Sequence, residues 1–141
     1  INDNTIDSIS YSPQGHYALF VTKELNQSFL YLINLNNFRT KLILNANTNW
    51  ENISIKWAED DSKALLNLDQ QVFVATTIFP QQKIDLKNYL PGINLSLINF
   101  KWDPNDSNNL FWLNNNDINV MNLLSLTNSK LALRSSIAKH L

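Results

Sequence analysis

The sequence contains no cysteine and only two glycines among its 141 residues. The absence of cysteine excludes disulfides, thiolate metal sites and cysteine nucleophiles. Phosphate-binding loops, dinucleotide-binding turns and Gly-x-Ser-x-Gly nucleophile elbows need several glycines at fixed spacing, which Gly15 and Gly92 cannot supply. We therefore predict no catalytic residue and no bound cofactor.

The chain also lacks an excess of charge of one sign and long apolar runs. The chain has 11 basic and 12 acidic residues spread along its length, for a formal net charge of −1. This balance provides neither a basic footprint for nucleic acid nor an acidic tail. No apolar run approaches the roughly 18 residues that a membrane-spanning helix needs. We predict no nucleic-acid partner and no membrane insertion.

Histidines and clustered carboxylates are the remaining candidates for chemistry. The two histidines, His16 and His140, lie far apart without partners at a recognised spacing, so they predict neither a metal site nor a catalytic pair. Carboxylates cluster in two turns, at residues 59–61 and 103–106. They lack the spacing of a calcium loop. Asx-type turns, in which Asp accepts local backbone hydrogen bonds, explain them better, and we predict no metal ligand.

A repeat of about 45 residues organises what is present. Residues 9–21, 55–67 and 100–112 each contain an apolar residue, a polar residue, an aromatic residue, a polar turn and an apolar run. The aromatics Tyr11, Trp57 and Trp102 are 46 and 45 residues apart. Short alternating and apolar runs between turns predict strands. Four antiparallel strands per repeat match a propeller blade, which places the equivalent aromatics between blades.

We expect one all-β repeat domain over residues 1–141, with units at about residues 6–49, 50–94 and 95–135. In the first unit the second hairpin loop is predicted over residues 23–28, whereas Asp69-Gln70 predicts a tight turn in the second. The third unit is expected to open with a strand over residues 95–102. The chain begins Ile-Asn-Asp-Asn, without Met or an apolar signal region, which predicts a processed chain or a piece of a longer protein.

The repeat resembles that of TolB-like and WD-like β-propellers. Tyr11-Ser12-Pro13-Gln14-Gly15 is similar to the Trp-Ser-Pro-Asp-Gly turn of that family, and residues 30–35 resemble one of its strands. Residues 57–61 keep the aromatic without Pro or Gly, and residues 102–106 keep the aromatic and Pro. The resemblance covers about residues 6–133. It implies a propeller fold and an extracytoplasmic location, periplasmic or at the cell surface.

Three blades leave a propeller incomplete, since such rings have about four to eight blades. Two blade faces would stay uncovered, and an open apolar face of that size is an interaction surface. The chain is then a fragment of a larger propeller, one half of a six-bladed ring formed by two copies, or an irregular all-β domain. The sequence leaves these three alternatives open.

The predicted function is a non-enzymatic protein-interaction or assembly module whose partner is another protein or a second copy. The resemblance also allows part of a propeller that gates a larger hydrolase, and exposed aromatics allow carbohydrate or surface adhesion. Trp50, Phe79 and Tyr89 are candidate partner-binding residues, because they lie outside the repeat pattern in connecting segments. For Trp50, a position folded back over the core is an equal alternative.

Overall fold

The computed structural model describes residues 5–114 and 116–132, so the predictions for residues 133–141 lie outside the described residues. Among the described residues, no helix has the length and apolar character needed to cross a membrane. Two short 3-10 helices, Leu86–Asn88 and Leu95–Leu97, accompany the strands. The strands are β1 (Thr5–Tyr11), β2 (Tyr17–Glu24), β3 (Gln27–Asn34), β4 (Thr40–Ala46), β5 (Ile53–Trp57), β6 (Lys63–Leu68), β7 (Gln71–Thr76), β8 (Lys83–Asp85), β9 (Lys101–Asp103), β10 (Asp106–Asn114), β11 (Asp117–Asn122) and β12 (Thr127–Ala132).

The strands form three antiparallel sheets of four, each built from strands consecutive in sequence. The sheets are β1–β4, β5–β8 and β9–β12, and we call them blades 1, 2 and 3. The predicted all-β class and the three four-stranded units are confirmed. Because every connection within a blade is a short antiparallel turn, each blade forms from local pairing.

The pairing register defines two faces of each blade. Side chains alternate between faces along a strand, and residues directly opposite each other across a ladder share a face. In blade 1, Leu19 pairs with Leu32, and both lie in a core shared with blade 2. We call the face that a blade turns toward the next blade in sequence its back face, and the opposite one its front face.

Two hydrophobic cores lie between the blades. The blade 1–2 core joins the back of blade 1 to the front of blade 2, and its buried members are Leu19, Val21, Leu30, Leu32, Ile43, Trp50, Ala64, Leu66, Leu68 and Ala75. The blade 2–3 core repeats this arrangement, and its buried members are Leu65, Val72, Val74, Leu86, Leu90, Leu95, Phe100, Leu110, Trp112, Met121 and Leu123. The three sheets are therefore stacked face to face, like successive blades of a propeller.

Polar contacts recur at equivalent places between blades. Nε1 of Trp57 donates to Ser10 Oγ at 3.0 Å, and Nε1 of Trp102 donates to the Lys56 carbonyl at 2.8 Å. In both contacts, the repeat aromatic on a blade's first strand reaches the residue before the equivalent aromatic of the preceding blade. Both tryptophans also pack against the cores. Their predicted position between blades is confirmed.

Tyr11, the third equivalent aromatic, departs from that prediction. It ends β1 as Trp57 ends β5, yet its side chain is 62% exposed. The difference arises because no blade lies in front of blade 1 in the described structure, so the aromatic has nothing to pack against. The prediction that Tyr11 is covered by a neighbouring blade is wrong for the described part of the chain.

The second hairpin of blade 1 is tighter than predicted. Instead of a loop over residues 23–28, the β2–β3 ladder continues to its last pair, Glu24 with Gln27. A two-residue turn begins with Leu25 at a φ of 53°, and such left-handed turns match the twist of paired strands. Blade 2 has the same connection at Asp69-Gln70, as predicted. The polar residues at this end of the hairpin in blade 1 lack the apolar alternation typical of a strand, so the sequence predicts a loop there.

The start of the third unit also differs from the prediction. A 3-10 helix spans Leu95–Leu97, and β9 begins only at Lys101. Leu95 and Phe100 are both buried in the blade 2–3 core, whereas Leu97 is 80% exposed. Residues five apart point to opposite faces of a strand. A helical turn is needed to bring both side chains to one core, so the predicted strand over residues 95–102 is wrong for most of its length.

Thr22 offers a test of the packing in blade 1. Its side chain is fully buried, and its Oγ1 has no hydrogen-bond partner among the described residues. A buried unpaired hydroxyl destabilises a fold, so we expect Thr22→Val to raise the free energy of unfolding by about 1 kcal/mol, measured by urea denaturation. Thr77→Val is the matched control, because the Thr77 hydroxyl donates to the Asp61 carbonyl at 3.0 Å. Equal effects of the two substitutions would contradict this interpretation.

Candidate functional site

The structure does not bring the three predicted partner-binding aromatics together. Trp50 and Tyr89 lie in the connections that precede and follow the strands of blade 2, at one end of that blade. Phe79 lies between β7 and β8, at the opposite end, because antiparallel strands alternate in direction. The three residues therefore do not form one surface.

Their exposure also differs. Trp50 is 4% exposed within the blade 1–2 core, and its backbone amide donates to Ser28 Oγ at 2.9 Å. Phe79 is 59% exposed and Tyr89 is 36% exposed. In this structure the Trp50 indole has almost no surface to offer a partner, whereas Phe79 and Tyr89 do. A part in partner binding stays a prediction for these residues.

The front face of blade 1 carries an apolar row on which no described blade packs. Ile9, Phe20, Tyr31 and Leu42 are successive cross-strand partners, one on each strand. Phe20 and Tyr31 stack with ring centroids 5.3 Å apart. Ile9 and Leu42, at the two ends of the row, are 47% and 49% exposed, whereas Phe20 between them is only 6% exposed. Ile9, Leu42 and Tyr11 therefore provide the exposed apolar surface of this face, on the side away from blade 2.

The back face of blade 3 is the second uncovered apolar surface. Phe111 pairs with Val120, and Ile118 pairs with both Leu113 and Leu131. All five point away from the blade 2–3 core, because Leu110, Trp112 and Met121 alternate with them and lie inside it. Leu113 is 66% exposed and Leu131 is 49% exposed. Lys101, on β9, lies at one edge of this surface, opposite Phe111.

Asp61 is a buried polar side chain with several hydrogen bonds across the boundary between blades 1 and 2. Its carboxylate is 2% exposed and accepts hydrogen bonds from the first turn of blade 1. The donors are Ser12 Oγ at 2.6 Å and the backbone amides of Gln14 and His16 at 2.9 and 3.2 Å. The His16 ring Nδ1 also lies 3.2 Å from it. A turn of blade 1 thus encloses a carboxylate of blade 2.

Those donors set the protonation of Asp61. Burial by itself raises the pKa of this carboxyl, because charge is poorly solvated there. The hydrogen bonds from Ser12, Gln14 and His16, with the nearby His16 ring, outweigh burial and lower the pKa of Asp61 below its usual value. The carboxylate is therefore ionised at neutral pH and holds two blades together.

Ser12, His16 and Asp61 are the residue types of a hydrolase triad, but their arrangement differs. In a triad the His lies between Ser and Asp and removes the serine proton. Here the Ser12 hydroxyl donates directly to Asp61, and its oxygen accepts the Tyr17 amide at 2.9 Å. The hydroxyl is thus held as a structural donor, and this geometry does not activate it as a nucleophile.

Sequence reasoning missed the role of Asp61, although a signal was present. Asp61 stands 46 residues after Gly15, at the same place in the repeat. Both have positive φ, 64° and 78°, a conformation that favours glycine and otherwise Asp or Asn. Asp tolerates the left-handed backbone conformation that this position of the repeat requires. Its carboxylate has a second role, because it accepts hydrogen bonds from the first turn of blade 1.

The other turn carboxylates accept hydrogen bonds from backbone amides within their own turns. Asp60, Asp103 and Asp106 each accept the backbone amide two residues further on, at 3.0, 2.9 and 2.9 Å. The predicted Asx-type turns are confirmed for these three. Within residues 5–114 and 116–132, no group of three His, Cys, Asp or Glu side chains has the geometry to hold a metal ion. His140 lies outside the described residues.

Comparison with known proteins identifies the fold. No family model and no curated protein matches the chain. An uncharacterized protein of Listeria monocytogenes is similar in structure over 96% of this chain and 42% of its own, with a TM-score of 0.58 and 13% identity. The β-propeller domain of the Trilobed protease from Pyrococcus furiosus is similar over 93% of this chain and 44% of its own, at TM-score 0.57 and 17% identity. A prolyl endopeptidase structure matches 94% of this chain and 23% of its own, at TM-score 0.56 and 14% identity.

These likenesses agree with the stacking of the three sheets and with the motif resemblance. The chain spans less than half the length of each of these solved proteins. At such low identity the similarity describes the fold and not the activity. The chain is a β-propeller-type repeat protein, with three successive blades in the described residues.

Proposed function

We propose that this chain is a non-enzymatic protein-interaction module that binds protein through its open blade faces. The observation that carries the proposal is a pair of apolar blade faces with exposed side chains, on the front of blade 1 and the back of blade 3, on which no described blade packs. Tyr11 and Leu113, one on each face, are 62% and 66% exposed. Contiguous apolar surface of this kind is typical of protein-binding sites.

The rows are organised like buried ones. Ile55, Leu66 and Phe73 form the front row of blade 2, and all three belong to or pack on the blade 1–2 core. Ile9 and Phe20 of blade 1 lie 46 residues before Ile55 and Leu66. A surface with the pattern of a buried interface is suited to a protein partner of complementary shape.

Two finer features belong to the proposal. Phe79 and Tyr89 would extend recognition to the ends of blade 2, and the module would work outside the cytoplasm, as the resemblance to TolB-like propellers implies. One continuous repeat domain over residues 1–141 is likewise proposed.

Site-specific photocross-linking in cells tests the function. A benzophenone amino acid at Leu42 or Leu113 is expected to yield a discrete protein adduct, identified by mass spectrometry. Leu25 is the matched control, because it is 90% exposed at a hairpin tip away from both faces. The adduct at Leu113 should disappear when Leu131, on the same face, is changed to aspartate. Absence of protein adducts at both faces would refute the proposal.

A second candidate is a propeller segment of a larger hydrolase. It is favoured by similar structures named as a protease, prolyl endopeptidases and an acylaminoacyl peptidase. Sequencing the parent reading frame decides it. A downstream segment with a Gly-x-Ser-x-Gly elbow would support the hydrolase, and a frame without one would remove it.

A further inference from the structure

We infer that two copies of this chain close a six-bladed ring, in which the back face of blade 3 of each copy packs on the front face of blade 1 of the other. The inference rests on the proposed function, because it names the partner of the same two faces. It commits to a second copy because one chain carries both halves of the contact.

The back face of blade 3 resembles the back face of blade 2, which packs against blade 3 inside the chain. In blade 2 the residues Lys56, Leu65, Val74 and Ile84 are successive cross-strand partners, and the last three contribute to the blade 2–3 core. In blade 3 the corresponding row is Lys101, Phe111, Val120 and Ser129. Both rows have a lysine on the first strand of the blade and apolar residues on the next two strands. The row on the back of blade 2 packs against blade 3, whereas the equivalent row on the back of blade 3 has no described blade against it.

The front face of blade 1 is the matching half. Its row Ile9, Phe20 and Tyr31 corresponds to Ile55, Leu66 and Phe73 of blade 2, which pack against the back of blade 1. Joining the two open faces therefore repeats an interface that the chain makes twice internally. Such complementary packing is what protein interfaces require at their centres.

The recurring polar contact gives the register of the joint. Trp57 reaches Ser10, and Trp102 reaches Lys56, so each aromatic contacts the residue before the aromatic of the preceding blade. Tyr11 is the aromatic of blade 1 and is exposed. By the same rule it meets Lys101 of the second copy, since Lys101 precedes Trp102.

The number of blades is compatible with a closed pair. Two copies of this chain would supply six blades, and closed propeller rings have about four to eight. A head-to-tail contact closes into a ring when its rotations complete a full turn, and otherwise it grows into a filament. Each copy contains two blade-to-blade steps and adds a third at its joint with the other copy, so a two-fold axis through the ring centre relates the copies.

Light scattering after size exclusion is the first test. We expect the 141-residue chain to have about twice its mass of 16.2 kDa. Leu113→Asp places a charge in the joint between copies and should halve the mass. Leu25→Asp makes the same change of side chain at the hairpin tip, away from the joint, and should leave the dimer intact. A monomeric wild-type chain would overturn the inference.

Cysteine cross-linking tests the register without destabilising the core, because the chain has no cysteine of its own. Tyr11→Cys combined with Lys101→Cys should give a covalent dimer under mild oxidation, and each single variant should not. A ladder of larger species would indicate an open filament and would overturn the ring, as would the absence of any cross-linked species.

The two proposals fail in different ways. If the chain is monomeric and the cysteine pair does not cross-link, while a benzophenone at Leu113 captures a different protein, the ring is wrong and the interaction module stands. If neither face yields any adduct in cells and the chain is monomeric, both are wrong.

Discussion

Replacing Asp61 with asparagine is expected to lower the free energy of unfolding by about 3 kcal/mol, because it removes a buried charge from three donors. The donors, Ser12 Oγ and the amides of Gln14 and His16, belong to blade 1, whereas Asp61 belongs to blade 2. Asparagine tolerates the φ of 64°, so the turn itself is retained. Urea denaturation measures the change.

Asp60→Asn is the matched control. Asp60 is exposed, and its Oδ1 accepts the amide and hydroxyl of Ser62 within the same turn. An asparagine oxygen can accept the same bonds, so we expect a change within about 0.5 kcal/mol. Equal losses for the two substitutions would mean that the contact between blades contributes nothing special.

The pH dependence separates the charge of Asp61 from its shape. Its pKa in the folded protein is lower than its value in the unfolded chain, which is about 4. The stabilisation is therefore complete above about pH 4 and is lost as the pH falls through the folded-state pKa. The difference in unfolding free energy between the wild type and Asp61→Asn should shrink below about pH 4. A difference that stays constant down to pH 2 would contradict an ionised Asp61.

Replacing Trp50 with alanine is expected to lower the free energy of unfolding by about 4 kcal/mol, the usual range for a large aromatic removed from a core. Trp50 is 4% exposed and lies in the blade 1–2 core with Leu30, Leu66 and Leu68. The cavity would lie between two blades, so the loss should weaken their packing as well as remove buried area. Thermal and urea unfolding of the 141-residue chain measure the effect.

Phe79→Ala provides the comparison for Trp50. The Phe79 side chain is 59% exposed, so its removal should change stability by no more than about 0.5 kcal/mol. If Trp50→Ala left stability unchanged and weakened only the capture of a partner, the indole would be a binding residue and its assignment to the core would be wrong.

Local sequence was sufficient for most of the architecture. Strand positions follow from alternation and turns, and the 46- and 45-residue spacing of Tyr11, Trp57 and Trp102 identifies three equivalent units. Both signals are local or periodic, so they can be recognised without knowledge of the tertiary packing. The Asx turns at Asp60, Asp103 and Asp106 were predictable for the same reason, since each bond closes over two residues.

Only the tertiary structure determined how equivalent residues differ. Tyr11 and Trp57 occupy the same place in the repeat, but Trp57 has a blade in front of it and Tyr11 does not. The structure also decided that Leu95 and Phe100 share a core through a 3-10 turn, and that Trp50 folds inward. The bonds of Asp61 join residues 45 to 49 positions apart in sequence, which no local pattern encodes. The sequence by itself determined what each blade is, and the stacking of the blades decided which faces are buried and which are left open for a partner.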